Sequence, residues 1–415
     1  MSTSTSPAGE ADARAAGRAR RSALLGAMFL MATSAIGPGF ITQTTTFTAK
    51  LGAAFAFAIV VSILVDIAVQ MNVWRVVGVS GMRAHELANS VLPGAGWVLT
   101  VLVVAGGLVF NIGNVAGTGL GLDALLGLDP RRGGVISALV AIAIFLSRAA
   151  GAALDRVVVV LGLVMIALTA FVASTSNPPV REALRNVVAP SNTGPAMLTA
   201  ITTLVGGTVG GYITYAGAHR LLDSGTTGPE NVRQISRSSV TGIVITGLMR
   251  ALLFFAILGV TTAGVALDPA NPAASAFQHA AGDIGLRVFG VILWAAAITS
   301  VIGASYTSVS FLTTQATAPR TRNLLTVAFI VVCTAAYVTL GQAPVTLLVF
   351  AGLFNGIILP LGFTLVLVAI FFRRDLFGGA YRHPVWLTVA GILAWLLTLW
   401  LGYVAVSDFW VKLAA

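Results

Sequence analysis

Charged side chains are scarce in this chain of 415 residues, because Asp, Glu, Lys and Arg together make up only 9% of it. Soluble domains carry about 25% charged residues, so a water-soluble globular protein is excluded. Hydrophobic residues reach 57%, which is more than a soluble core would bury and indicates that lipid surrounds much of the chain. The composition therefore predicts an all-α polytopic membrane protein.

Cysteine is almost absent, and the one cysteine, Cys333, lies in an apolar run, so neither a disulfide framework nor a thiolate metal site is expected. The net charge of +10 comes without a basic stripe or a base-stacking motif, so nucleic acid is not an expected partner. No cleavable signal peptide is evident, because a polar tail leads directly into a segment long enough to span the bilayer. P-loop and His-Glu-x-x-His motifs are missing, and we expect neither an enzyme nor a resident cofactor.

Eleven apolar segments are each long enough to cross the bilayer, which takes a helix of about 20 residues. They are predicted at residues 24–48, 53–74, 95–121, 134–152, 157–175, 194–218, 238–263, 286–312, 323–341, 344–371 and 384–406. Most of the 24 Lys and Arg residues fall on the side that holds the N-terminus when the loops alternate. Because cytoplasmic loops are enriched in Lys and Arg, we predict a bacterial inner-membrane protein with the N-terminus cytoplasmic and the C-terminus extracytoplasmic.

Two of the predicted spans contain residues that break helices. The first holds Gly-Pro-Gly at 37–39, and the sixth holds glycine pairs at 206–207 and 210–211. Proline removes a backbone donor, and glycine costs about 1 kcal/mol in a helix interior. Backbone left unpaired at these breaks must face protein or a water-filled cavity rather than lipid. Packing kinks would explain the breaks, but their equivalent positions in two halves favour a transporter site between inverted repeats.

The run Ile36-Gly37-Pro38-Gly39-Phe40 is followed at matching spacings by a basic residue at 50, by Gln70-Met71 and by Gly81. Residues 33–81 thereby resemble the first two helices of NRAMP-type divalent-metal transporters, whose motif there is Asp-Pro-Gly-Asn. The segment Thr208-Val209-Gly210-Gly211-Tyr212 resembles the family's sixth-helix segment Thr-Val-Met-Pro-His. The resemblance implies a LeuT-like fold of two inverted five-helix repeats plus one extra helix.

On that plan the chain divides into five parts. These are a cytoplasmic N-terminal tail (1–22), a first five-helix repeat (23–175), an extracytoplasmic loop (176–193), a second repeat (194–373) and an eleventh helix with the C-terminus (374–415). The expected partners are the lipid bilayer and a small-molecule substrate, with a monomer as the acting unit. A passive channel is disfavoured, because the chain has one asymmetric pair of breaks and no repeated filter loop.

The positions that hold metal and protons in the resembled family are changed here. Its motif Asp and Asn and its sixth-helix Met correspond to Gly37, Phe40 and Gly210, which offer no side-chain ligand. Its two histidines correspond to Tyr212 and Gly217, and the acidic pair of its third helix to the two asparagines at 111 and 114. Mn²⁺ and Fe²⁺ need oxygen or nitrogen donors and compensating negative charge, so no metal site is expected. Proton-coupled transport of such ions remains the alternative that the family implies.

Glycine at these positions opens volume beside half-helix N-termini, whose positive dipole ends favour anionic groups. Hydroxyl, amide and phenol groups nearby suit a pocket for a small organic anion or amino-acid-like solute. The predicted substrate-binding residues are Gly37, Pro38, Gly39, Phe40, Thr42, Gln43, Thr44, Asn111, Asn114, Gly207, Gly210, Gly211, Tyr212 and Tyr215. Each single threonine has the alternative of bonding back to its own helix. Some NRAMP-like bacterial proteins without the metal motif are suspected carriers of lactam acids, which makes 5-oxoproline a candidate for ion-coupled alternating access.

Buried charge is costly in a membrane and is treated as functional by default. Asp66 and Arg250 are such positions, and a direct ion pair between them is not expected because their predicted depths differ. Arg250 either snorkels outward or meets a substrate carboxylate, and His219 is either a helix-end residue or a proton-linked gate. Thr299 and Ser300 stand where LeuT-like sodium symporters place a hydroxyl pair. Na⁺ is therefore favoured over H⁺ as the coupling ion, with helix packing as the alternative.

Overall fold

The computed structural model describes residues 37–313, 317–377 and 381–414. The predicted tail (1–22) and the first half of the first span lie outside the described residues. Within these ranges the chain is helical, with short 3₁₀ segments at Gly52–Ala54, Pro229–Asn231 and Arg374–Phe377. In chain order the α-helices are α1 (Pro38–Leu51), α2 (Phe55–Ser80), α3 (Ala84–Val91), α4 (Ala95–Leu126), α5 (Pro130–Leu146), α6 (Arg148–Thr175), α7 (Val180–Val188), α8 (Pro195–Thr208), α9 (Ile213–Asp223), α10 (Val232–Thr262), α11 (Pro272–Leu312), α12 (Pro319–Leu340), α13 (Pro344–Phe372) and α14 (Val385–Ala414).

In the described part of the chain, each of the eleven predicted spans overlaps one helix or a pair of half-helices. The second half of the first span is α1, and the sixth span is divided into α8 and α9. Eight segments of the described chain are long and apolar enough to cross a membrane, counting α1 with α2 and α8 with α9. If α6 and α7, which meet at 103°, are counted as one span, there are nine. Helix α5, with 17 residues, is too short to be counted among them.

One predicted boundary was wrong, and another lies just after a break within its helix. The fourth span was extended to residue 152, but α5 ends at Leu146, and Ser147 takes an extended conformation (φ −104°, ψ 105°) before α6 begins. The eighth span is predicted to begin at 286. The helix α11 begins at Pro272, where the Asn271 side chain accepts a hydrogen bond from the N–H of Ala274, but it is interrupted at Gly282 (φ 64°, ψ −162°), so the predicted span corresponds to its second part. Helix ends depend on caps and on where the chain turns to pack, and a hydropathy window registers neither.

The helices pack closely because small residues stand where backbones meet. Gly206 of α8 faces the backbone of Gly352 and Gly356 of α13 with no room for a Cβ atom. In α4, a Cβ at Gly121 would lie 2.6 Å from the backbone nitrogen of Trp294 in α11. Such contacts are typical of membrane helices, where close backbone approach supplies the packing energy. They bring the broken segments α1 and α8–α9 against α4, α11 and α13.

The outer surface of the helices is apolar. Leu139 of α5, Leu163 of α6 and Leu393 of α14 are each more than half exposed, and similar side chains cover the outward faces of α10 and α12. An exposed surface this rich in leucine, valine and phenylalanine is stable in hydrocarbon and not in water. The described helices thus have a polar centre at the broken segments and a lipid-facing exterior.

Candidate substrate site

The first break leaves the N-terminus of α1 without a side-chain cap. Gly37 is extended (φ −79°, ψ −174°), and α1 begins at Pro38, whose missing N–H costs nothing at the first helical position. The backbone N–H groups of Gly39 and Phe40 lie in the first turn, where an α-helix offers donors without internal acceptors. Both residues are buried. This end of α1 therefore presents a partial positive charge inside the protein.

The second break lies between α8 and α9, at residues 209–212. The N–H of Gly211 donates to the carbonyl oxygen of Asn355 in α13 at 3.0 Å. The Asn355 side chain in turn donates to the carbonyl oxygen of Gly106 in α4 at 3.1 Å. The neighbouring helices therefore satisfy backbone that the break would otherwise leave unpaired, as unwound segments at membrane depth require.

Gln43 of α1 joins the two breaks. Its amide nitrogen donates to the carbonyl oxygen of Leu348 in α13 at 2.9 Å. Its Oε1 lies against Gly207 of α8, at a position where any Cβ atom would collide with it. That oxygen is fully buried and accepts no hydrogen bond from the described residues. The first and sixth spans are thus in contact, as predicted, through the Gln43 side chain, whose amide oxygen is left without a hydrogen bond.

Arg250 of α10 contacts both broken helices. Its guanidinium donates to the Thr208 hydroxyl, at the end of α8, over 3.2 Å, and its carbon Cζ lies 4.6 Å from the centroid of the Phe40 ring. The side chain is 2% exposed, so Arg250 does not snorkel outward. Its Nε finds no hydrogen-bond partner among the described residues. A buried cation with a free donor therefore lies at the junction of the two breaks.

Asp66 of α2 is 1% exposed and approaches the same hydroxyl. No direct ion pair joins it to Arg250, although the two side chains are close enough to interact electrostatically around Thr208. Oδ1 of Asp66 has no hydrogen-bond partner in the described structure.

The two asparagines of α4 adjoin the second break. Asn111 donates to the Ser305 hydroxyl of α11 at 2.8 Å, and Asn114 donates to the side-chain oxygen of Asn111 at 3.4 Å. The Tyr212 hydroxyl donates to the carbonyl oxygen of Ala304 at 3.2 Å, one residue before Ser305. These contacts form a polar connection between α4, α11 and Tyr212, the residue before α9.

Other predicted residues lie apart from the junction or bond within their own helix. The Tyr215 hydroxyl packs against Gly362 of α13, beyond the break. Thr44 donates to the carbonyl oxygen of Phe40 in its own helix at 2.7 Å, and Thr42 is buried on the same helix. Thr44 thus has the back-bonded geometry that was the alternative to substrate contact.

His219 lies at the far end of α9 from the break. Its ring stacks on Phe311 of α11 at a centroid distance of 4.1 Å, and its Nε2 accepts a hydrogen bond from the N–H of Ala84. The neighbouring ion pair joins Arg83 to Asp223 at 3.3 Å. The histidine thus connects the ends of α3, α9 and α11, which fits the helix-end interpretation and separates it from the Arg250 junction.

The predicted sodium pair has a mixed geometry. The Thr299 hydroxyl donates to the carbonyl oxygens of Ala296 and Ala295 in its own helix, at 2.9 and 3.2 Å. The Ser300 hydroxyl is buried without a hydrogen-bond partner among the described residues. One turn earlier, Ala297 lies near Gly117, which itself packs against Pro38. Ser300 is therefore within about a turn of the first break.

Sequence reasoning missed Asn355, whose backbone and amide support the second break. A signal was available, because Asn355 is the one amide in the apolar segment 344–372 and a polar side chain there is costly. Across the described ranges, no three His, Cys, Asp or Glu side chains come together as metal ligands would.

The fold matches solved transporters. A mutant form of a manganese transporter of Eremococcus coleocola is similar with a TM-score of 0.70 and 19% identity, over 92% of this chain and 86% of that chain. MhsT in complex with L-phenylalanine is similar with a TM-score of 0.69 and 16% identity, over 92% of this chain and 98% of that chain. These likenesses define a helical membrane protein of the LeuT-like fold, as predicted.

The family model described as "Natural resistance-associated macrophage protein-like" matches residues 28–408. A membrane protein of Bacillus subtilis (strain 168), described as uncharacterized, is 53% identical over 373 residues, which are 90% of this chain and 91% of the relative. One of Haemophilus influenzae (strain ATCC 51907 / DSM 11121 / KW20 / Rd) is also 53% identical, over 90% of this chain and 92% of the relative. The chain belongs to the NRAMP family and is a membrane transporter, which confirms the resemblance seen in the sequence.

Proposed function

We propose that this transporter is a secondary carrier that moves a small organic anion or amino-acid-like solute by ion-coupled alternating access. The observation that supports this most directly is the Arg250 guanidinium, buried where the two broken helices meet. Arginine stays protonated in proteins, and its planar fork of donors suits a carboxylate. With Nε unpartnered, a substrate carboxylate would complete the hydrogen bonds that the protein leaves open.

The same junction is unfavourable for a divalent metal ion. A guanidinium a few ångströms from the site would repel Mn²⁺ or Fe²⁺, and low dielectric strengthens that repulsion. At position 210, where the family carries Met, a Cβ atom would collide with the carbonyl oxygen of Gly206 and lie 2.7 Å from the Cβ of Asn355. The glycine therefore supports close packing of the break in place of a thioether ligand.

The donor and acceptor pattern fits a lactam acid such as 5-oxoproline. Its carboxylate would bind Arg250 and the free N–H groups at the start of α1. Its ring N–H would find an acceptor in Oε1 of Gln43 or Oδ1 of Asn355, which are both buried and unpartnered in the described structure. Satisfying such atoms with a ligand group recovers the free energy that their burial costs.

Three further features belong to the same proposal. The N-terminus is cytoplasmic and the C-terminus extracytoplasmic in a bacterial inner membrane, following the distribution of Lys and Arg. One copy of the chain is the acting unit, because the proposed site lies within it. The coupling ion is either Na⁺ near Ser300 or a proton. The Thr299 hydroxyl donates its hydrogen to its own helix, which leaves the lone pairs of its oxygen for such an ion.

Exchange in proteoliposomes tests the proposal. Vesicles loaded with unlabelled solute and containing the purified protein are expected to take up labelled 5-oxoproline, while protein-free vesicles do not. Mn²⁺ and Cd²⁺ should neither inhibit this exchange nor stabilise the protein. A ligand at 100 times its Kd stabilises by about 2.7 kcal/mol, which thermal unfolding resolves. Stabilisation by Mn²⁺ or Cd²⁺, without any by carboxylates such as 5-oxoproline or lactate, would return the chain to metal transport.

A further inference from the structure

Asp66, Thr208 and Arg250 form a buried group of one carboxyl, one hydroxyl and one guanidinium. Its charges cancel only while no anionic substrate is bound. The guanidinium donates to the Thr208 hydroxyl, whose own hydrogen goes to the carbonyl oxygen of Leu204, and Asp66 of α2 lies within electrostatic reach of both Thr208 and Arg250. Both charged side chains are at most 2% exposed, and each retains a polar atom without a hydrogen-bond partner in the described structure. The net charge of the group is zero when Asp66 is ionised.

We propose that Asp66 is the coupling residue of this transporter and takes up one proton for each anion that binds Arg250. This inference rests on the proposed function, because it needs a carboxylate substrate. Binding of that carboxylate places a second negative charge beside one guanidinium in a buried site. Two carboxylates that share one cation do not both stay ionised cheaply, whereas the guanidinium has no proton to gain. A proton on Asp66 restores the net charge to zero.

The charges that face Asp66 make this assignment specific. Among the described residues, Arg250 of α10 is the charged group that acts on it, and α8 contributes only the Thr208 hydroxyl. From α9, Tyr215 packs against Gly362 and His219 stacks on Phe311, so neither titratable ring compensates the carboxylate. The helices α7, α13 and α14 also pack against α2, and no charge of theirs acts on Asp66. Arg250 is thus the cation for which Asp66 and the substrate compete.

The transport cycle follows from this competition. Facing outward, the carrier binds a carboxylate at Arg250 and a proton at Asp66, so the loaded site is neutral and crosses without moving net charge. Facing inward, loss of the anion frees Arg250 to compensate Asp66 again, and the proton leaves. Proton and anion therefore travel together in a ratio of one to one. An Na⁺ gradient has no part in this cycle.

Proteoliposomes separate coupling from substrate binding. With wild-type protein, an inward gradient of one pH unit should accumulate labelled 5-oxoproline by about tenfold, the ratio that one coupled proton supplies. Asp66→Asn imitates the protonated acid, so it should still exchange solute at a measurable rate while its gradient-driven accumulation is lost. Asp66→Glu should restore a response to pH. Ser62→Ala, on the same helix, and Asp283→Asn, an exposed carboxylate, are matched controls that should accumulate solute as the wild type does.

The possible outcomes distinguish a failure of the coupling inference from a failure of the proposed function. If wild-type protein exchanges neither 5-oxoproline nor lactate, the proposed function fails and the coupling inference falls with it. If it exchanges solute but Asp66→Asn still follows the pH gradient, or an Na⁺ gradient alone drives accumulation, only the coupling inference is overturned. A second measurement on wild-type protein needs no variant to fold. Adding 5-oxoproline to weakly buffered protein with a pH indicator should show uptake of about one proton per bound anion, and no uptake would refute the proposal.

Discussion

The guanidinium carbon of Arg250 lies 4.6 Å from the centroid of the Phe40 ring, so a cation on α10 covers the residue that follows the first helix break. In the metal-transporting members that the sequence resembles, the position of Phe40 carries an asparagine ligand. Here the aromatic ring holds a cation in place, since guanidinium groups stack favourably on ring faces. On the proposed function, the junction binds an anion in place of a metal ion.

Arg250→Lys is expected to weaken substrate binding while keeping the positive charge. Lysine loses both the planar stack on Phe40 and the fork that pairs with a carboxylate, so the half-saturating concentration for exchange should rise by about tenfold. Concentration-dependent exchange in proteoliposomes measures this. Arg233→Lys, an exposed position on the same helix, is the control. Equal half-saturation for wild type and Arg250→Lys would remove Arg250 from the binding site.

Asp66 and Arg250 are expected to be energetically coupled in the absence of substrate. Arg250→Gln leaves the buried carboxylate without a compensating charge and should lower the free energy of unfolding by about 3 kcal/mol. The loss of stability in the double variant with Asp66→Asn should be smaller than the sum of the losses in the two single variants, by roughly 0.5–3 kcal/mol.

Thermal or denaturant unfolding of the four proteins in one detergent measures this double-mutant cycle. The pair Arg250→Gln with Asp283→Asn is the reference for two sites without contact, and its losses should add. If the Asp66 cycle is also additive, the electrostatic interaction around Thr208 contributes nothing to stability.

Gly210→Met, which restores the family's metal-ligand residue, should destabilise the protein without conferring Mn²⁺ binding. The new Cβ would overlap the carbonyl oxygen of Gly206 and press on Asn355, and such overpacking costs about 1–3 kcal/mol. The control is Gly162→Ala, a helical glycine of α6 with open space around it, which should stabilise by up to about 1 kcal/mol. Thermal unfolding with and without Mn²⁺ checks both expectations, and a Mn²⁺-dependent rise in the Tm of Gly210→Met would contradict ours.

His383 links α14 to α2 as a neutral imidazole. Asn72 donates its amide to the carbonyl oxygen of Leu387, so its Oδ1 accepts from Nε2 of His383 at 2.9 Å, while Nδ1 of His383 accepts from the Tyr381 hydroxyl at 3.0 Å. Burial, and secondarily the positive charge of Arg75, lowers the pKa of His383 from 6.5 to about 4. The unfolded chain therefore binds a proton in a pH range where the folded protein does not.

The free energy of unfolding should consequently fall as the pH drops from about 6.5 towards 4, since stability rises with pH wherever the unfolded state holds more protons. His383→Gln, which keeps a donor but does not titrate, should flatten this part of the pH dependence. Thermal unfolding at several pH values measures it, with His279→Gln, an exposed histidine of α11, as the control. An unchanged slope in His383→Gln would show that the histidine is charged in the folded protein.

Much of the architecture could be predicted from local chemistry. Apolar length located the spans, and the Gly-Pro-Gly run at 37–39, predicted as a break, coincides with the start of α1 at Pro38, because proline is favoured where a helix begins. The helix boundary at Ser147 was missed. Ser147 ends α5 in an extended conformation, whereas the predicted span continues past Ser147 and Arg148 to residue 152.

Predictions for single site residues were less complete, for a related reason. Periodicity shows that Thr44 and Thr299 lie on helices, but whether a hydroxyl faces a ligand or its own helix carbonyl depends on rotamer and neighbours. Asn355 was passed over because it lies outside the two interrupted spans. Its role depends on a tertiary contact, in which its carbonyl oxygen accepts a hydrogen bond from the N–H of Gly211.

The sequence alone determined that this is a membrane protein of the NRAMP-like scaffold, and it predicted interruptions in two spans and the absence of the family's metal-ligand residues. These properties depend on side-chain polarity and backbone freedom at given positions, and both can be read from the residue types in the sequence. Only the tertiary structure decided that Arg250 meets both breaks and that Thr208 lies between it and Asp66. Helix tilt and rotation decide which side chains meet at one depth, and both arise from packing between segments far apart in the sequence.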